Sequence, residues 1–551
     1  MLFAIHQTNH QQSGPRSNNE HPMKRSFLLL IVSGSLAASS LGQFTFQRVY
    51  GGVASDEGNS VRQTPDGGYI VAGTTTSYGS GGRDVSVIRT DAIGDTLWTR
   101  TYGGPMDNEY GFCVQVTNDG GYIVSGVASS FADVAGDMYL IRLTATGDTL
   151  WTRTYGGIGY EWGAYVQQTS DDGFIIAGQS PAFGVGDFEA YLVKVDANGT
   201  LAWTRTYGSS VGEIGSAVQQ TADGGYILSG QTGQGAGFGD FLLIKTDAVG
   251  TVEWTKAYGV PGAESGVTVK QTTDGGYVIG GSSENILGPT GEDMCLIRTD
   301  ATGQVLWAKL YGGPVTDECY EVIQTPDGGF ALCGKSFSFS NLGDYDVYVV
   351  KTDAQGVEEW SKTYGGSTSS SHNEIGRSID ATSDGGYVIT GESMFGFGVG
   401  LKNMYLIKTD AAGSSGCNEG TPATVSADFT HQVSVPSLTS SSGGITTSPA
   451  TVVNSGTTLT DLCLALAIET PDVRETSLVA YPNPADDEIF VTLMPPLTKA
   501  SLFSISDASG RSISSGSLAN VVNVIDVSGL SNGTYVLRTN DRGVSTFVVA
   551  H

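Results

Sequence analysis

Short runs in which every second residue is β-branched or aromatic recur between residues 43 and 412. One copy of the pattern contains four such runs, which read ESGVTVKQT, YVIGG, DMCLIRTDA and VLWAKLYGG. A period of two predicts β-strands that each bury one face. The Asp-Gly pair between the first two runs is a strong hairpin signal, because a type I′ turn needs positive φ at both central residues. The pattern therefore predicts four antiparallel strands per copy.

This four-strand pattern occurs seven times along the chain. Its register is marked by the glycine that closes each DGGY-like turn, at Gly68, Gly121, Gly173, Gly225, Gly276, Gly329 and Gly386. Copies at intervals of 51 to 57 residues indicate a propeller or a solenoid. Four locally connected antiparallel strands per copy favour a propeller blade.

The two ends of the repeat array complement each other. The array begins with a lone FQRVYGG at 46–52, which matches the fourth-strand run WTRTYGG, and it ends with MYLIKTDAAG and no Trp strand after it. An N-terminal strand that completes the last copy would close the ring without an open edge, whereas an open solenoid gives no reason for the displaced strand. We therefore expect an all-β protein, a seven-bladed β-propeller closed by an N-terminal strand.

Composition divides the chain into four regions. Residues 1–42 are predicted to be a leader and signal peptide with its true start at Met23, because MKRSFLLLIVSGSLAASSLGQ has a basic start, an apolar core and small residues before Gly42. The propeller is predicted at 43–412 and a Ser/Thr-rich linker at 413–476. The last region, 477–551, has about seven short strands and turns, the pattern of a small Ig-like β-sandwich.

Charge and cysteine content narrow the partners. The chain has 28 Lys+Arg against 56 Asp+Glu, a formal net charge of -28, which disfavours nucleic acid and anionic lipid as partners. No segment after residue 42 reaches the roughly 18 apolar residues of a membrane span. Cys417 and Cys463 flank the linker, and we expect them to form a disulfide in an exported protein. Pairing among the four cysteines of the repeats stays open: Cys113, Cys295, Cys319 and Cys333.

The chain resembles two families. The repeat at about 46–412, with its W-x-K/R-x-YGG, DGGYIVAG and D-x-YLIKTDAxG motifs, is similar to the repeats of secreted bacterial β-propellers. At the C-terminus, three motifs in order resemble the type A sorting domain of the type IX secretion system: Tyr481-Pro482-Asn483-Pro484, Asp507-x-x-Gly510-Arg511 and Leu530-Ser-x-Gly533-x-Tyr535. This resemblance implies type IX secretion machinery as a partner, after export across the inner membrane, and release or display at the outer cell surface.

The TDAxGxxxW run, with Asp91 and Trp98 in the first copy, is similar to the tryptophan-docking motif of quinoprotein propellers. In that motif the aromatic residue of the outer strand packs on the neighbouring blade, which implies a structural role and no quinone cofactor here. The corresponding positions are Phe46, Trp98, Trp151, Trp203, Trp254, Trp307 and Trp360.

Charged residues also repeat with the pattern. A Glu precedes each turn, at Glu57, Glu109, Glu161, Glu213, Glu264, Glu318 and Glu374. The third strand carries a base, at Arg89, Arg142, Lys194, Lys245, Arg298, Lys351 and Lys408. That strand opens with Asp84, Asp137, Glu189, Asp240, Asp293, Asp346 and Asn403. The Glu series is a candidate ring of Ca²⁺ ligands, but we favour a structural role, since scaffold devices repeat with the blades whereas binding sites usually break symmetry.

Loops that differ from copy to copy are the predicted working face. They lie after YGG and between the second and third strands, and loops on a rigid scaffold usually carry binding residues. Candidate ligand-binding aromatics in these loops are Tyr78, Phe131, Phe183, Phe238, Phe337 and Phe395. Each is either a platform for a sugar ring or a residue that folds back on its own blade, and the sequence leaves both open.

Catalytic motifs are absent from the sequence. It has six His and no His-x-Glu-x-x-His, no GxSxG nucleophile elbow on a strand-to-helix turn and no Cys/His pairing, so no catalytic residue is predicted. We expect an exported binding module for extracellular polysaccharide or a surface protein, with no cofactor other than the candidate Ca²⁺. Two alternatives are an extracellular carbohydrate-active enzyme with carboxylates at the channel mouth and a structural spacer.

Overall fold

The computed structural model describes residues 43–105, 107–131, 136–184, 187–237, 239–284, 287, 290–340, 343–366, 372–395, 397, 400–443, 445–447, 452–454, 456–466, 477–481, 488–494, 501–507, 511–518, 522–539 and 543–549. These residues form β-strands, turns and bends, with no helix among them. The predicted leader and signal peptide, 1–42, lies outside the described residues.

The repeat region forms 28 strands. The first half comprises β1 (Phe44–Gly51), β2 (Asp56–Gln63), β3 (Tyr69–Thr75), β4 (Asp84–Thr90), β5 (Thr96–Gly103), β6 (Glu109–Val116), β7 (Tyr122–Ala128), β8 (Asp137–Leu143), β9 (Thr149–Gly156), β10 (Trp162–Gln168), β11 (Phe174–Ser180), β12 (Glu189–Val195), β13 (Leu201–Gly208) and β14 (Glu213–Gln220). The second half comprises β15 (Tyr226–Thr232), β16 (Asp240–Thr246), β17 (Val252–Gly259), β18 (Glu264–Gln271), β19 (Tyr277–Glu284), β20 (Glu292–Thr299), β21 (Val305–Gly312), β22 (Asp317–Gln324), β23 (Phe330–Ser336), β24 (Asp346–Thr352), β25 (Glu358–Tyr364), β26 (Asn373–Ala381), β27 (Tyr387–Met394) and β28 (Lys402–Thr409).

Each copy of the repeat forms one antiparallel sheet. Six sheets contain four consecutive strands, beginning with β2, β6, β10, β14, β18 and β22. The seventh has the order β26-β27-β28-β1, so the N-terminal strand completes the last copy, as the chain ends predicted. Phe46, Val49 and Tyr50 of β1 are buried there.

The seven first strands form a cyclic series. Each of β2, β6, β10, β14, β18, β22 and β26 contacts the next, and β26 contacts β2. We call these seven strands the inner ring. Hydrophobic clusters join neighbouring sheets: one contains Ile70 and Val87 of the first sheet together with Val124 and Tyr139 of the second. The core therefore lies between sheets, around the ring.

The turn between the first and second strands differs from the predicted type I′ hairpin. In the first copy, residues 64–68 separate the paired Gln63 and Tyr69, and Gly67 is the residue with positive φ, at 87°. The carbonyl of Thr64 accepts a hydrogen bond from Gly67 N–H, and the Asp66 carboxylate accepts one from the Thr64 hydroxyl. A longer loop with one left-handed residue therefore replaces the two-residue turn.

The segment predicted as a linker adds a fifth strand to every sheet of the repeat region. Its strands are β29 (Glu419–Gly420), β30 (Val425–Asp428), β31 (Gln432–Ser434), β32 (Thr439–Ser441), β33 (Ile445–Thr447), β34 (Val452–Asn454) and β35 (Thr458–Leu466). They pair in turn with β25, β21, β17, β13, β9, β5 and β1. We call residues 419–466 the belt, because it passes every outer strand once, in the order opposite to the repeats. Composition predicted a linker here because six of these strands have only two to four residues, which is too short to show an apolar alternation.

The C-terminal strands form two further sheets. They are β36 (Ser477–Tyr481), β37 (Glu488–Met494), β38 (Ser501–Asp507), β39 (Ser512–Leu518), β40 (Val522–Asp526), β41 (Gly533–Thr539) and β42 (Gly543–Val549). The sheet orders are β36-β37-β40 and β39-β38-β41-β42. Ile489, Val491, Ile505 and Leu537 from both sheets share one buried cluster. Within the part of the chain that the structure describes, no helical segment has the length and apolar character to span a bilayer.

Candidate ligand pocket inside the inner ring

Side chains along the inner ring alternate between repeating and variable positions. Glu109, Gly111 and Val114 of β6 are buried and recur in most copies, whereas Tyr110 and Phe112 between them are partly exposed. The first variable position holds Glu57, Tyr110, Trp162, Ile214, Ser265, Glu318 and Ile375 around the ring. Because strand side chains alternate between faces, the repeat carries scaffold residues on one side and residues that vary among the copies on the other.

A cavity of about 440 Å³ lies among these variable side chains. Its lining comprises Glu57, Asn59, Ser60, Arg62, Phe112, Cys113, Trp162, Tyr165, Ser216, Thr268, Tyr320, Glu321, Arg377 and Ser378. We call it the central pocket, since every inner strand contributes to it. The candidate ligand-binding aromatics predicted from the sequence lie in the loops that differ from copy to copy, and none of them belongs to this set. The sequence did contain a signal for these residues. In the first strand of each copy, some positions vary from copy to copy while the positions beside them do not.

Three aromatic rings from two adjacent inner strands lie in a row beside the pocket. The Phe112 and Trp162 rings are stacked, with centroids 4.6 Å apart and planes at 11°. Tyr110 continues the row, 6.1 Å from Phe112 at 10°, and the Arg83 guanidinium lies 5.4 Å from the Tyr110 centroid. On β22, the Tyr320 ring carries the Arg377 guanidinium at 4.7 Å. Such rings supply apolar area together with a defined orientation.

Polar side chains from six inner strands meet deeper in the ring. Tyr165 of β10 accepts hydrogen bonds at its hydroxyl from Lys270 Nζ at 2.6 Å, from Arg62 at 3.3 Å and from Gln115 at 3.4 Å. Arg62 also donates to Glu321 at 2.8 Å. Glu321 accepts a bond from the Ser378 hydroxyl at 2.6 Å. We call these six residues the floor cluster, because three of their bonds run across the ring between non-adjacent strands: Lys270 to Tyr165, Arg62 to Tyr165 and Arg62 to Glu321.

The charged side chains of the floor cluster stay ionised because they pair with one another. Burial opposes ionisation of Glu321, but Arg62, Lys270 and the Ser378 hydrogen bond outweigh it and lower the pKa of that carboxyl. Burial likewise acts against the Lys270 ammonium, yet Tyr165 and Glu321 leave its pKa raised. The carboxylate and the ammonium therefore both stay charged near neutral pH.

The repeating carboxylates have structural partners and lie outside the central pocket. Glu109 accepts hydrogen bonds from Gly104 N–H at 2.8 Å and Ser130 N–H at 2.9 Å. The register corrects two members of the predicted Glu series, because Asp56 and Asp317 occupy this buried position in their copies. Glu57 and Glu318 are the next residues along, on the variable side, where they pair with Lys402 and Lys335.

The predicted calcium ligands are not gathered into a metal site. Each buried carboxylate of the series caps backbone N–H groups at the start of its own sheet, as Glu213 does for Ser209 N–H at 2.6 Å. Among the residues that the structure describes, no group of three or more His, Cys, Asp or Glu side chains is arranged to hold a metal ion.

Carboxylates of the third strands meet the capping carboxylates of the following sheet. Burial raises the pKa of Glu264 to about 7, with the neighbouring Asp240 adding to the rise against hydrogen bonds from Val260 N–H and Ser283. Burial and Asp346 likewise raise the pKa of Glu374 to about 8. A Cβ on the YGG glycine between the partners would collide with both, as at Gly259. The acids and glycines thus recur from copy to copy because they form a tight junction between sheets. These junction residues do not line the pocket.

The third-strand bases pair with the turn aspartates. Lys194 Nζ lies 3.0 Å from Asp171, and Arg142 donates to Asp119 at 2.6 Å. The same contact occurs in every copy, between Arg89 and Asp66, Lys245 and Asp223, Arg298 and Asp274, Lys351 and Asp327, and Lys408 and Asp384. These ion pairs hold the first hairpin against the third strand.

Most of the predicted loop aromatics contact neighbouring protein groups. The Phe131 and Phe183 rings each lie 5.9 Å from a tyrosine of their own sheet. Phe337 lies 5.3 Å from the Tyr345 ring, and the Tyr78 hydroxyl donates to the Gly51 carbonyl. Of the other two candidates, Phe238 lies outside the described residues, and Phe395 is 53% exposed.

The outer-strand aromatics pack on the next sheet. Trp98 lies 6.0 Å from Tyr122, and its indole N–H donates to the Ala145 carbonyl. Trp151, Trp203, Trp254, Trp307 and Trp360 make the equivalent ring contacts, and Phe46 contacts Tyr69.

Cysteines fall into two groups. Cys113, Cys295, Cys319 and Cys333 are buried free thiols. Cys417 and Cys463 are both brought to Gln47 of β1: Cys463 is its register partner in β35, and Gln47 Nε2 donates to the Cys417 carbonyl.

The sorting motifs are partly within the described residues. Asp507 accepts hydrogen bonds from Arg511, and the Tyr535 hydroxyl donates to the Ser531 carbonyl at 2.7 Å. Leu530 and Gly533 lie at the turn before and at the start of β41. Pro482, Asn483, Pro484 and Gly510 lie outside the described residues, and Tyr481 ends β36.

Comparison with known proteins identifies the C-terminal region. Residues 479–548 match the family model of the secretion system C-terminal sorting domain. A search of curated protein sequences found no match. Among solved structures, the chain is similar to PorZ, a bacterial surface component of the type-IX secretion system of Porphyromonas gingivalis, at 9% identity over 93% of this chain and 100% of that chain; the TM-score of 0.13 carries no argument about fold. The sorting domain indicates export by the type IX machinery to the outer cell surface or the medium.

Proposed function

We propose that this exported protein is a seven-bladed β-propeller that acts as a binding module for an extracellular glycan or surface protein. The central pocket carries the proposal. It is lined by residues that differ from copy to copy on a scaffold that otherwise repeats, and a binding site is the feature that breaks symmetry in a repeat protein. The cyclic contacts of the inner ring and the position of β1 support the propeller.

A second part of the proposal concerns the belt. We infer that Cys417 and Cys463 form a disulfide, which would join the two ends of a segment that has passed all seven sheets. The shared contact with Gln47 supports this pairing. Export to an oxidising compartment makes a stable disulfide the expected state.

Binding is favoured over hydrolysis by the state of the pocket carboxylates. A glycosidase of the paired-carboxylate type needs one carboxyl that stays protonated as the general acid. Of the two carboxylates that line the pocket, Glu321 has a lowered pKa and is bonded to Arg62, and Glu57 is paired with Lys402 at 3.0 Å. Both are thus placed as ion-pair partners.

Retention of the full exported chain on insoluble polysaccharides and on intact bacterial cells tests the proposal. The same mixtures are assayed for released sugars, with calcium and with a chelator. We expect retention without products and without an effect of the chelator. Released sugars would replace the binding module by an enzyme, and an absence of retention on every polysaccharide and cell would contradict a binding function.

A further inference from the structure

The central pocket is closed at one end. Its aromatic row lies nearer the amino-terminal ends of the inner strands than the floor cluster, where hydrogen bonds, three of them across the ring, link side chains from six of these strands. A ligand that enters beside Phe112 and Trp162 therefore meets Tyr165 and its partners and cannot pass through. The cavity of about 440 Å³ falls in the usual size range of small-ligand sites and is too small for the surface of a folded protein.

The charged side chains that line the pocket balance one another. Two are acidic, Glu57 and Glu321, and two are basic, Arg62 and Arg377. Each has a partner of opposite charge: Glu57 pairs with Lys402, Arg62 with Glu321, and Arg377 with Glu392 at 3.6 Å. A paired and neutral lining gives no net attraction to a charged ligand. It still offers hydrogen-bond donors and acceptors to hydroxyl groups.

Besides hydrogen-bonding groups, a neutral sugar needs an apolar surface for its C–H groups, and the aromatic row supplies one. Phe112 and Trp162 are partly exposed, stacked and contributed by neighbouring sheets, so their rings have a fixed orientation at the pocket wall. A neutral sugar ring combines an apolar C–H face with equatorial hydroxyls, which suits an aromatic surface flanked by Asn59 and Ser216.

We propose that the central pocket binds the end of a neutral glycan chain, with the terminal sugar ring packed against the side of the stacked Phe112–Trp162 pair that lines the pocket. This inference rests on the proposed binding function and narrows it to a ligand class, a location and a mode. A chain end is required because the floor cluster blocks the ring, so an internal segment of a polysaccharide has no exit.

Calorimetric titration of the full exported chain tests the ligand class. The probes are short linear malto-, cello-, xylo-, manno- and chito-oligosaccharides, with cyclic malto-oligosaccharides as end-free references. We expect at least one linear series to bind and the cyclic compounds to give no heat. Cyclic compounds that bind as well as their linear counterparts would overturn the chain-end mode. Binding to cells or proteins without binding to any oligosaccharide would overturn the glycan assignment and leave the binding function standing, whereas no binding to any of these removes both.

Matched variants test the location. Trp162→Ala is expected to weaken oligosaccharide binding by about tenfold or more, since it removes the aromatic surface against which the C–H groups of the sugar ring pack. Ile214→Ala is the control, because Ile214 has the same register position on β14 and does not line the pocket. If Trp162→Ala does not fold, as judged by circular dichroism, Phe112→Leu keeps an apolar side chain and removes the ring. Weaker binding in Phe395→Ala with unchanged binding in Trp162→Ala would move the ligand to the outer loops and overturn the proposed site.

Discussion

At the scale of single residues, the floor cluster shows how a repeat scaffold accommodates a unique core. Arg62, Lys270 and Glu321 occupy positions that hold unlike residues in other copies, so no repeat motif marks them. Their significance follows from the ring, which brings β2, β18 and β22 together although their residues are far apart in sequence. An ion pair in this setting is kept because each charge, once buried, needs its partner.

Removal of the Glu321 carboxylate tests whether the buried charges of the floor cluster need their partners. Glu321→Ala is expected to lower the free energy of unfolding by about 3–5 kcal/mol, because it leaves Arg62 buried without its closest acid. Glu318→Ala, three residues earlier, removes a more exposed pair with Lys335 and is expected to cost less than about 1 kcal/mol. Denaturant unfolding measures both, and equal losses would show that the floor pair has no special weight.

At the scale of secondary-structure elements, the last strand of the repeat region and the last strand of the belt both meet β1. This strand pairs with β28 on one side and with β35 of the belt on the other. Neither of its edges is open, so the N-terminal strand, predicted to complete the last copy, lies inside a five-stranded sheet.

Two phenylalanines of β1, one buried and one partly exposed, test how much the buried face of this strand contributes to stability. Phe46→Ala is expected to destabilise the protein by about 3–5 kcal/mol, since Phe46 is fully buried against Tyr69 of the next sheet. Phe44→Ala in the same strand is the control, because Phe44 is 41% exposed and its loss is expected to cost less than about 1 kcal/mol. Thermal and denaturant unfolding give the comparison, and a stable Phe46→Ala protein would contradict closure of the seventh sheet by β1.

The belt gives a second prediction at this scale. Cys417→Ser is expected to lower stability by about 3–5 kcal/mol under oxidising conditions, because the chain-entropy model assigns this range to closing a loop of several tens of residues. Reducing agent should destabilise the parent chain and leave the variant unchanged. Peptide mapping without reduction checks the pairing itself, and separate Cys417 and Cys463 peptides would contradict it.

At the scale of the whole molecule, two repeating sets of carboxyls act in opposite pH ranges. Burial raises the pKa of Asp84 and Asp346 to about 7, and that of Glu374 to about 8. The folded state therefore holds protons that the unfolded chain releases from about pH 4 upward, and stability falls as pH rises through this window to about 8. The turn carboxyls behave in the opposite way. Hydrogen bonds and third-strand bases lower the pKa of Asp119 and Asp327 to about 2, so their contribution is lost as pH falls below about 4.

Together, the two sets of carboxyls predict that the protein is most stable at acidic pH. The melting temperature, measured from pH 2 to pH 9 at constant ionic strength, is expected to peak between about pH 4 and pH 5 and to decline toward pH 8. Asp84→Asn removes one carboxyl from a junction, at the position that Asn403 holds in the last copy, and is expected to flatten the alkaline decline. A maximum at pH 7 or above would contradict the raised pKa values of the junction acids.

The sequence by itself determined the features that depend on local chemistry. Alternation and turn residues predicted the strands and their hairpins, the displaced FQRVYGG run predicted the place of β1, and the C-terminal motifs predicted the sorting domain. These follow from short-range rules, in which a period of two and a glycine at a turn have the same meaning in any fold.

Tertiary structure alone decided the belt, the junction acids and the pocket. Six of the seven belt strands are only two to four residues long, and they become strands because outer edges of the sheets offer unpaired backbone groups. Glu264 and Asp240 meet across a sheet boundary, which no spacing in the sequence encodes. Phe112, Trp162 and Tyr165 line one cavity because the ring brings the same face of every first strand to its centre. The assembled ring determines which side of each inner strand faces a ligand. The repeat pattern in the sequence describes only the side that packs against neighbouring strands.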